Sequence, residues 1–144
     1  MSETAHQIAP QIAPSLDDLA ALAEIAFAAL PPVVRQLTGD VLFRVDDFPD
    51  QGVLDTLNIE DPFELTGLYQ GTDLAHRSVF DPNPEPARIF LYRRPILDEW
   101  ADRGDIGLLD LITHVLVHEI GHHFGLSDAD IEAIEAEEPG SLQR

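Results

Sequence analysis

His118-Glu119-Ile120-Gly121-His122-His123-Phe124-Gly125-Leu126-Ser127-Asp128 decides how the rest of this chain is read. In a helix, His-Glu-x-x-His brings two imidazoles to one face a turn apart, so both ring nitrogens reach one metal ion at about 2.0–2.1 Å. Glu119 stands beside them, close enough to a water on that metal to take its proton. The stretch therefore predicts metallohydrolase chemistry, with His118 and His122 as zinc ligands and Glu119 as general base. Catalytic zinc takes three protein ligands and keeps a fourth position for water. Asp128, six residues after His122 and past the helix-stopping Gly125, is the expected third ligand, since a carboxylate oxygen is an ordinary zinc donor. Two plainer readings stay open at this level. The histidines also suit hydrogen-bonded core positions, and Ser127 or Asp128 followed by Asp130 or Ile131 resembles a helix start, where Asp128 caps rather than ligates.

Upstream, Ile106 to Val117 is apolar on most faces, so the motif helix is expected to run from about Ile106 to Phe124 between layers of a core. Gly121 inside it costs about 1 kcal/mol relative to Ala, which makes sense if a strand or loop packs closely there. His114 lies one turn before His118, but four residues raise a helix by about 6 Å, so it is read as a supporting or structural residue and not as a ligand. His123 points about 100° away from His122 and reads as core or surface. His76, Tyr69 and Tyr92 are candidates for stabilising an oxyanion, although packing is the simpler role for each.

Outside this stretch, composition limits the function classes. A chain of 144 residues, 44% hydrophobic, has the size of one compact domain. A net charge of −19 repels phosphate backbones and anionic lipid, which argues against nucleic-acid and membrane partners and favours basic substrates, while also serving solubility. The absence of cysteine rules out disulfides and thiolate ligands, leaving His, carboxylate and water to hold any metal. No basic start precedes an apolar leader segment, and no apolar run approaches the roughly 20 residues that span a bilayer; a soluble, monomeric, cytoplasmic protein is expected.

Along the chain, residues 1–14 carry a tandem Gln-Ile-Ala-Pro repeat that reads as a flexible arm. Ser15 with Asp18 marks a helix start, and Leu16, Leu19, Ala23, Ala26 and Leu30 form a stripe ending at Pro31-Pro32; this helix is expected to cover one face of a sheet. Val41–Val45, Leu65–Gln70 and Arg88–Arg93 read as strands, with a helical turn at Val53–Leu57. A long connection, Gly71 to Ala87, holds Pro82, Pro84 and Pro86 and is expected to border a cleft. Pro95 opens a short helix through Trp100. A final acidic helix, Asp128–Glu138, docks through Ile131 and Ile134.

Taken together, the motif from His118 to Asp128, the acidic helix after it and the strands at Leu65–Gln70 and Arg88–Pro95 resemble the minimal zincin-like metallopeptidases of bacteria over about residues 16–138. The resemblance implies an α+β fold, in which a small mixed sheet and an N-terminal helix pack with a central motif helix and a short acidic C-terminal helix. The zincin-like domain would span residues 15–139, with 140–144 a tail. It carries over His118, His122 and Asp128 as ligands of Zn2+ and Glu119 as base, in the pattern His-Glu-x-x-His-x-x-Gly-x-x-Asp. Members resemble proteases in their core while lacking much of the substrate-binding subdomain of larger zincins. A peptide or protein substrate would then add to the sheet edge as an extended strand. The competing functions are a metal-binding interaction or regulatory module with little turnover, and hydrolysis of a non-peptide amide.

Overall fold

A computed structural model describes residues 12–71 and 86–137. Among the described residues are six helices and a three-stranded sheet: α1 (Leu16–Ala28), α2 (Pro32–Thr38), β1 (Leu42–Asp46), α3 (Gln51–Leu57), β2 (Gly67–Gln70), β3 (Arg88–Tyr92), α4 (Arg93–Arg103), α5 (Leu108–His123) and α6 (Asp128–Glu137), with a 3-10 turn at Pro62–Glu64. The sheet has the order β1-β3-β2, with β1 parallel and β2 antiparallel to β3, so the fold is α+β with the mixed sheet expected. The tandem repeat up to residue 11, His76, Pro82, Pro84 and the tail from residue 138 lie outside the described residues.

Helix α1 begins with the reciprocal cap that its sequence predicts. Ser15 Oγ accepts from the Asp18 amide at 3.1 Å, and Asp18 Oδ2 accepts from the Ser15 amide at 2.8 Å. Leu19, Ala23 and Ala26 are buried, but Leu16 is exposed and Leu30 lies beyond the helix end. Instead of simply covering the sheet, α1 lies mainly along the motif helix α5 and meets the sheet at β1. Pro31-Pro32 proves to be both a stop and a start. Proline at the first position of α2 has its fixed φ ready for a helix and no amide to leave unbonded, so a second helix follows at once. Similarly, α4 is longer than expected, because Pro95 falls in its first turn; the strand ends at Tyr92 and the helix follows without a loop. The expected turn at Val53–Leu57 is a full helix from Gln51, capped by Asp50 Oδ1 on the Val53 amide at 2.9 Å.

The core gathers Ile89 and Leu91 of β3 with Leu19, Ala23 and Ala26 of α1 and Leu111, Ile112, Val115, Leu116 and Ile120 of α5. The motif helix is thus covered by the sheet and by α1, between layers as its broad apolarity suggested. Leu109 and Val117 remain 38% and 43% exposed. Ile131 docks α6 and is buried, while the Ile134 side chain lies outside the described ones. No described helix is long and apolar enough to cross a membrane.

Candidate metal centre

Two neighbouring stripes of α5 divide the work of the motif. Val115, Glu119 and His123, four residues apart, are buried beneath β2. His118 and His122 lie on the adjacent stripe, where they line a cleft of about 730 Å3 between β2, α5 and the start of α6. Their rings stand 4.9 Å apart and nearly perpendicular, as one helical turn allows.

Beyond His123 the chain turns back over the cleft. Gly125 takes φ 91°, and its amide reaches the His122 carbonyl while the Leu126 amide reaches that of Gly121, both at 3.0 Å. This pair of bonds is the Schellman stop, and its left-handed position favours glycine. Gly121 has its packing reason as well, although the neighbour is a helix and not the strand or loop expected. A Cβ there would meet Ile131 Cδ1 of α6 at 2.8 Å.

The turn also settles which residue caps α6. Ser127 Oγ accepts from the Asp130 amide at 3.1 Å and Asp130 Oδ2 accepts from the Ser127 amide at 3.0 Å, which holds the Asp130 carboxyl below its usual range. Asp128 is therefore not the cap. Its Oδ1 faces the histidines instead, 2.9 Å from His118 Nε2 and 3.0 Å from His122 Nε2. His118, His122 and Asp128 form a group whose donor atoms lie within 4.8 Å of one another, suited to a metal ion.

The donor chemistry fits a cation. His122 Nδ1 lies 2.8 Å from the Leu126 carbonyl oxygen, which only accepts, so Nδ1 carries a proton and donates it. In the neutral ring Nε2 then presents a lone pair to the Asp128 carboxylate, and two acceptors 3.0 Å apart require a proton or a metal between them. A backbone carbonyl that fixes the tautomer of a histidine is also the usual support of a metal ligand. Donors of a tetrahedral zinc lie about 3.3 Å from one another, given bonds of about 2.0–2.1 Å, so small side-chain shifts accommodate the ion.

Against this geometry, the model of the zincin-like metallopeptidase family matches residues 38–138. The chain belongs to that family. Among curated proteins, no sequence matches the chain. The family match begins at Thr38, so α1 lies outside it, although the resemblance was expected to start near residue 16; it takes in the sheet, the motif helix and α6 of this zincin-like protein.

The remaining candidates separate clearly. Glu119 is only 7% exposed yet lines the cleft. Burial raises its carboxyl pKa, opposed by His122 and His118, while Asp128 adds to the rise and the Tyr69 backbone N–H, donating to the carboxylate, lowers it. His114 also lines the cleft but is absent from the donor group. His123 is core, 1% exposed, with Nδ1 2.8 Å from the Tyr69 hydroxyl. Tyr92 is buried and not among the residues lining the cleft; burial first, then Asp46, Asp50 and Glu119, push its hydroxyl up to about 12, so it packs as a neutral phenol against Phe90. Three contributors carried no signal in the sequence: the Leu126 carbonyl, the Tyr69 amide and Gly67, whose missing Cβ lets β2 approach Val115 and Glu119. The first two are backbone groups, a carbonyl that every residue possesses and an amide that all but proline possess.

Proposed function

We propose that this protein is a zinc-dependent metallopeptidase, with His118, His122 and Asp128 holding the metal and Glu119 acting as general base. The observation that carries the reading is the convergence of the two Nε2 atoms on Asp128 Oδ1, with Nδ1 of His122 already occupied by a carbonyl. Bound zinc would supply a water of lowered pKa and polarise the scissile carbonyl. The Glu119 carboxylate accepts the proton of the attacking water and returns it to the leaving amine. Its burial keeps bulk water away, and the Tyr69 amide fixes its orientation.

An extended substrate is supported by the sheet. The Tyr92 amide bonds the Thr66 carbonyl at 2.9 Å, so in the antiparallel alternation Leu68 and Gln70 turn their backbone groups to β3. Gly67 and Tyr69 turn theirs to the opposite edge. The Gly67 amide and carbonyl then offer ladder partners to a peptide lying in the cleft. Away from the donor group, Leu57, Leu65, Glu64 and Glu99 line the same cleft, an aliphatic wall with carboxylates that suits the stem and head of Lys or Arg.

Elemental analysis of tag-free protein beside the double variant His118→Ala, His122→Ala tests the ligand set. About one zinc per folded wild-type chain, lost from a folded variant, is expected; no zinc in the wild type after loading at neutral pH overturns it. Zinc without cleavage of any peptide in a broad library would instead favour a metal-binding interaction module. In that library, cleavage is expected to concentrate beside Lys or Arg and to weaken at high salt, as screening of surface charge requires; indifference to both removes the preference for basic substrates.

A further inference from the structure

His123 is the one histidine of the motif that faces away from the cleft, and a core position normally goes to an apolar residue. Its bond to the Tyr69 hydroxyl joins α5 to β2 at 2.8 Å, with the two rings 5.4 Å apart. Tyr69 and Gly67, two residues apart, present their side-chain positions to the same face of the strand. Both positions meet the buried stripe of α5. A Cβ on Gly67 would lie 2.7 Å from Val115 Cγ1 and 3.3 Å from Glu119 Cγ, while the Tyr69 ring extends one helical turn further, to His123. The strand therefore rests on the helix at two points, with Glu119 between them. The amide that belongs to Tyr69 donates to the Glu119 carboxylate.

We infer that His123 is a positioning residue: by holding the Tyr69 phenol it fixes how β2 lies along the motif helix, and so keeps the Tyr69 N–H on the carboxylate of Glu119. The catalytic consequence rests on the reading of Glu119 as base; the structural link does not. Apolar packing is non-directional and by itself leaves the strand free to shift along the helix. A hydrogen bond between the half-buried Tyr69 phenol and the buried His123 ring does not, since moving them apart costs the buried imidazole that partner. Small displacements of a positioned group lower turnover without changing substrate affinity to the same degree.

The test uses zinc-loaded full-length protein with His123→Phe, Tyr69→Phe, the double variant and His123→Asn. Asn places a polar atom near the site of imidazole Nδ1 and is the rescue. Two amides of β2 are followed by hydrogen exchange: Leu68, turned to β3, reports the sheet, and Tyr69 reports the contact with Glu119. In His123→Phe and in Tyr69→Phe the Tyr69 amide is expected to exchange about tenfold faster with Leu68 unchanged, the selective opening of one local contact. The double variant matches either single one, and His123→Asn keeps the protection. Turnover falls by about tenfold in the two Phe variants at nearly constant KM. Unchanged Tyr69 protection, or loss in step with Leu68, overturns the inference, because the latter is what general destabilisation produces. Should His123→Phe not fold, Tyr69→Phe and His123→Asn carry the same comparison. A wild type that binds zinc yet cleaves nothing defeats the peptidase reading alone, since the exchange measurement still decides the role of His123.

Discussion

Glu119→Gln is expected to lower kcat/KM by about 10²- to 10⁴-fold, the usual contribution of a positioned base, with KM little changed. Zinc content should stay as in the wild type, because Glu119 is not a member of the donor group. Gln keeps the volume and a carbonyl oxygen for the Tyr69 amide, so lost activity would reflect the lost proton acceptor. Wild-type rates in the variant would end the assignment. The same substitution carries a second, opposite effect on stability. Burial raises the Glu119 pKa above its unfolded value, so the folded state favours the protonated acid. Stability from this group is then complete below the unfolded pKa and lost as pH rises through the folded one. Above the usual glutamate range this buried group therefore weighs against folding, relieved in part by the two histidines. Metal-free Glu119→Gln should melt above metal-free wild type at neutral pH, with the gap closing as pH falls below the usual glutamate range. Calorimetry of chelated protein at both pH values reads the difference; a lower melting temperature for the variant at neutral pH would mean that the carboxylate is stabilised rather than strained. A residue that weakens the fold while lining a cleft is what a reaction centre is expected to contain.

How much of this is legible in the sequence depends on which atoms carry the information. The spacing of His118 and His122 fixes their common face through helix geometry alone, and the structure brings them together as read. Asp128 is ambiguous in sequence because Ser127 and Asp128 both have cap-forming side chains; only the Schellman turn at Gly125 shows that the chain arrives with Ser127 in the cap position. Helix α2 is hidden because Pro31-Pro32 reads as a stop, whereas proline is equally at home in a first turn. Leu109 and Val117 stay exposed on α5, since apolarity does not say how many neighbours exist to cover a helix. The support of His122 comes from a carbonyl, and that of Glu119 from an amide. Neither depends on residue identity, so no motif records them.

Gly67→Ala is expected to destabilise the fold and to damage the site in one step. Ala is better than Gly in a strand by roughly 0.5–1 kcal/mol on conformational grounds, which taken alone predicts a gain. The new Cβ, however, would lie 2.7 Å from Val115 Cγ1, 3.2 Å from the Phe90 carbonyl oxygen and 3.3 Å from Glu119 Cγ. None of these yields easily. Val115 is β-branched and buried in the core, and Phe90 is bound in the central strand of the sheet. Overpacking of this kind costs about 1–3 kcal/mol, so it outweighs the entropic gain. The strand must lift from α5, and the lift carries the Tyr69 amide away from Glu119. We therefore expect a melting temperature lower by about 3–10 °C and a fall in turnover greater than the loss of folded protein explains. Denaturant unfolding separates the two effects, because it gives the folded fraction under assay conditions. A variant as stable as the wild type would show that β2 does not bear on the motif helix at Gly67. A destabilised variant with normal turnover per folded molecule would show that the base keeps its place without the strand.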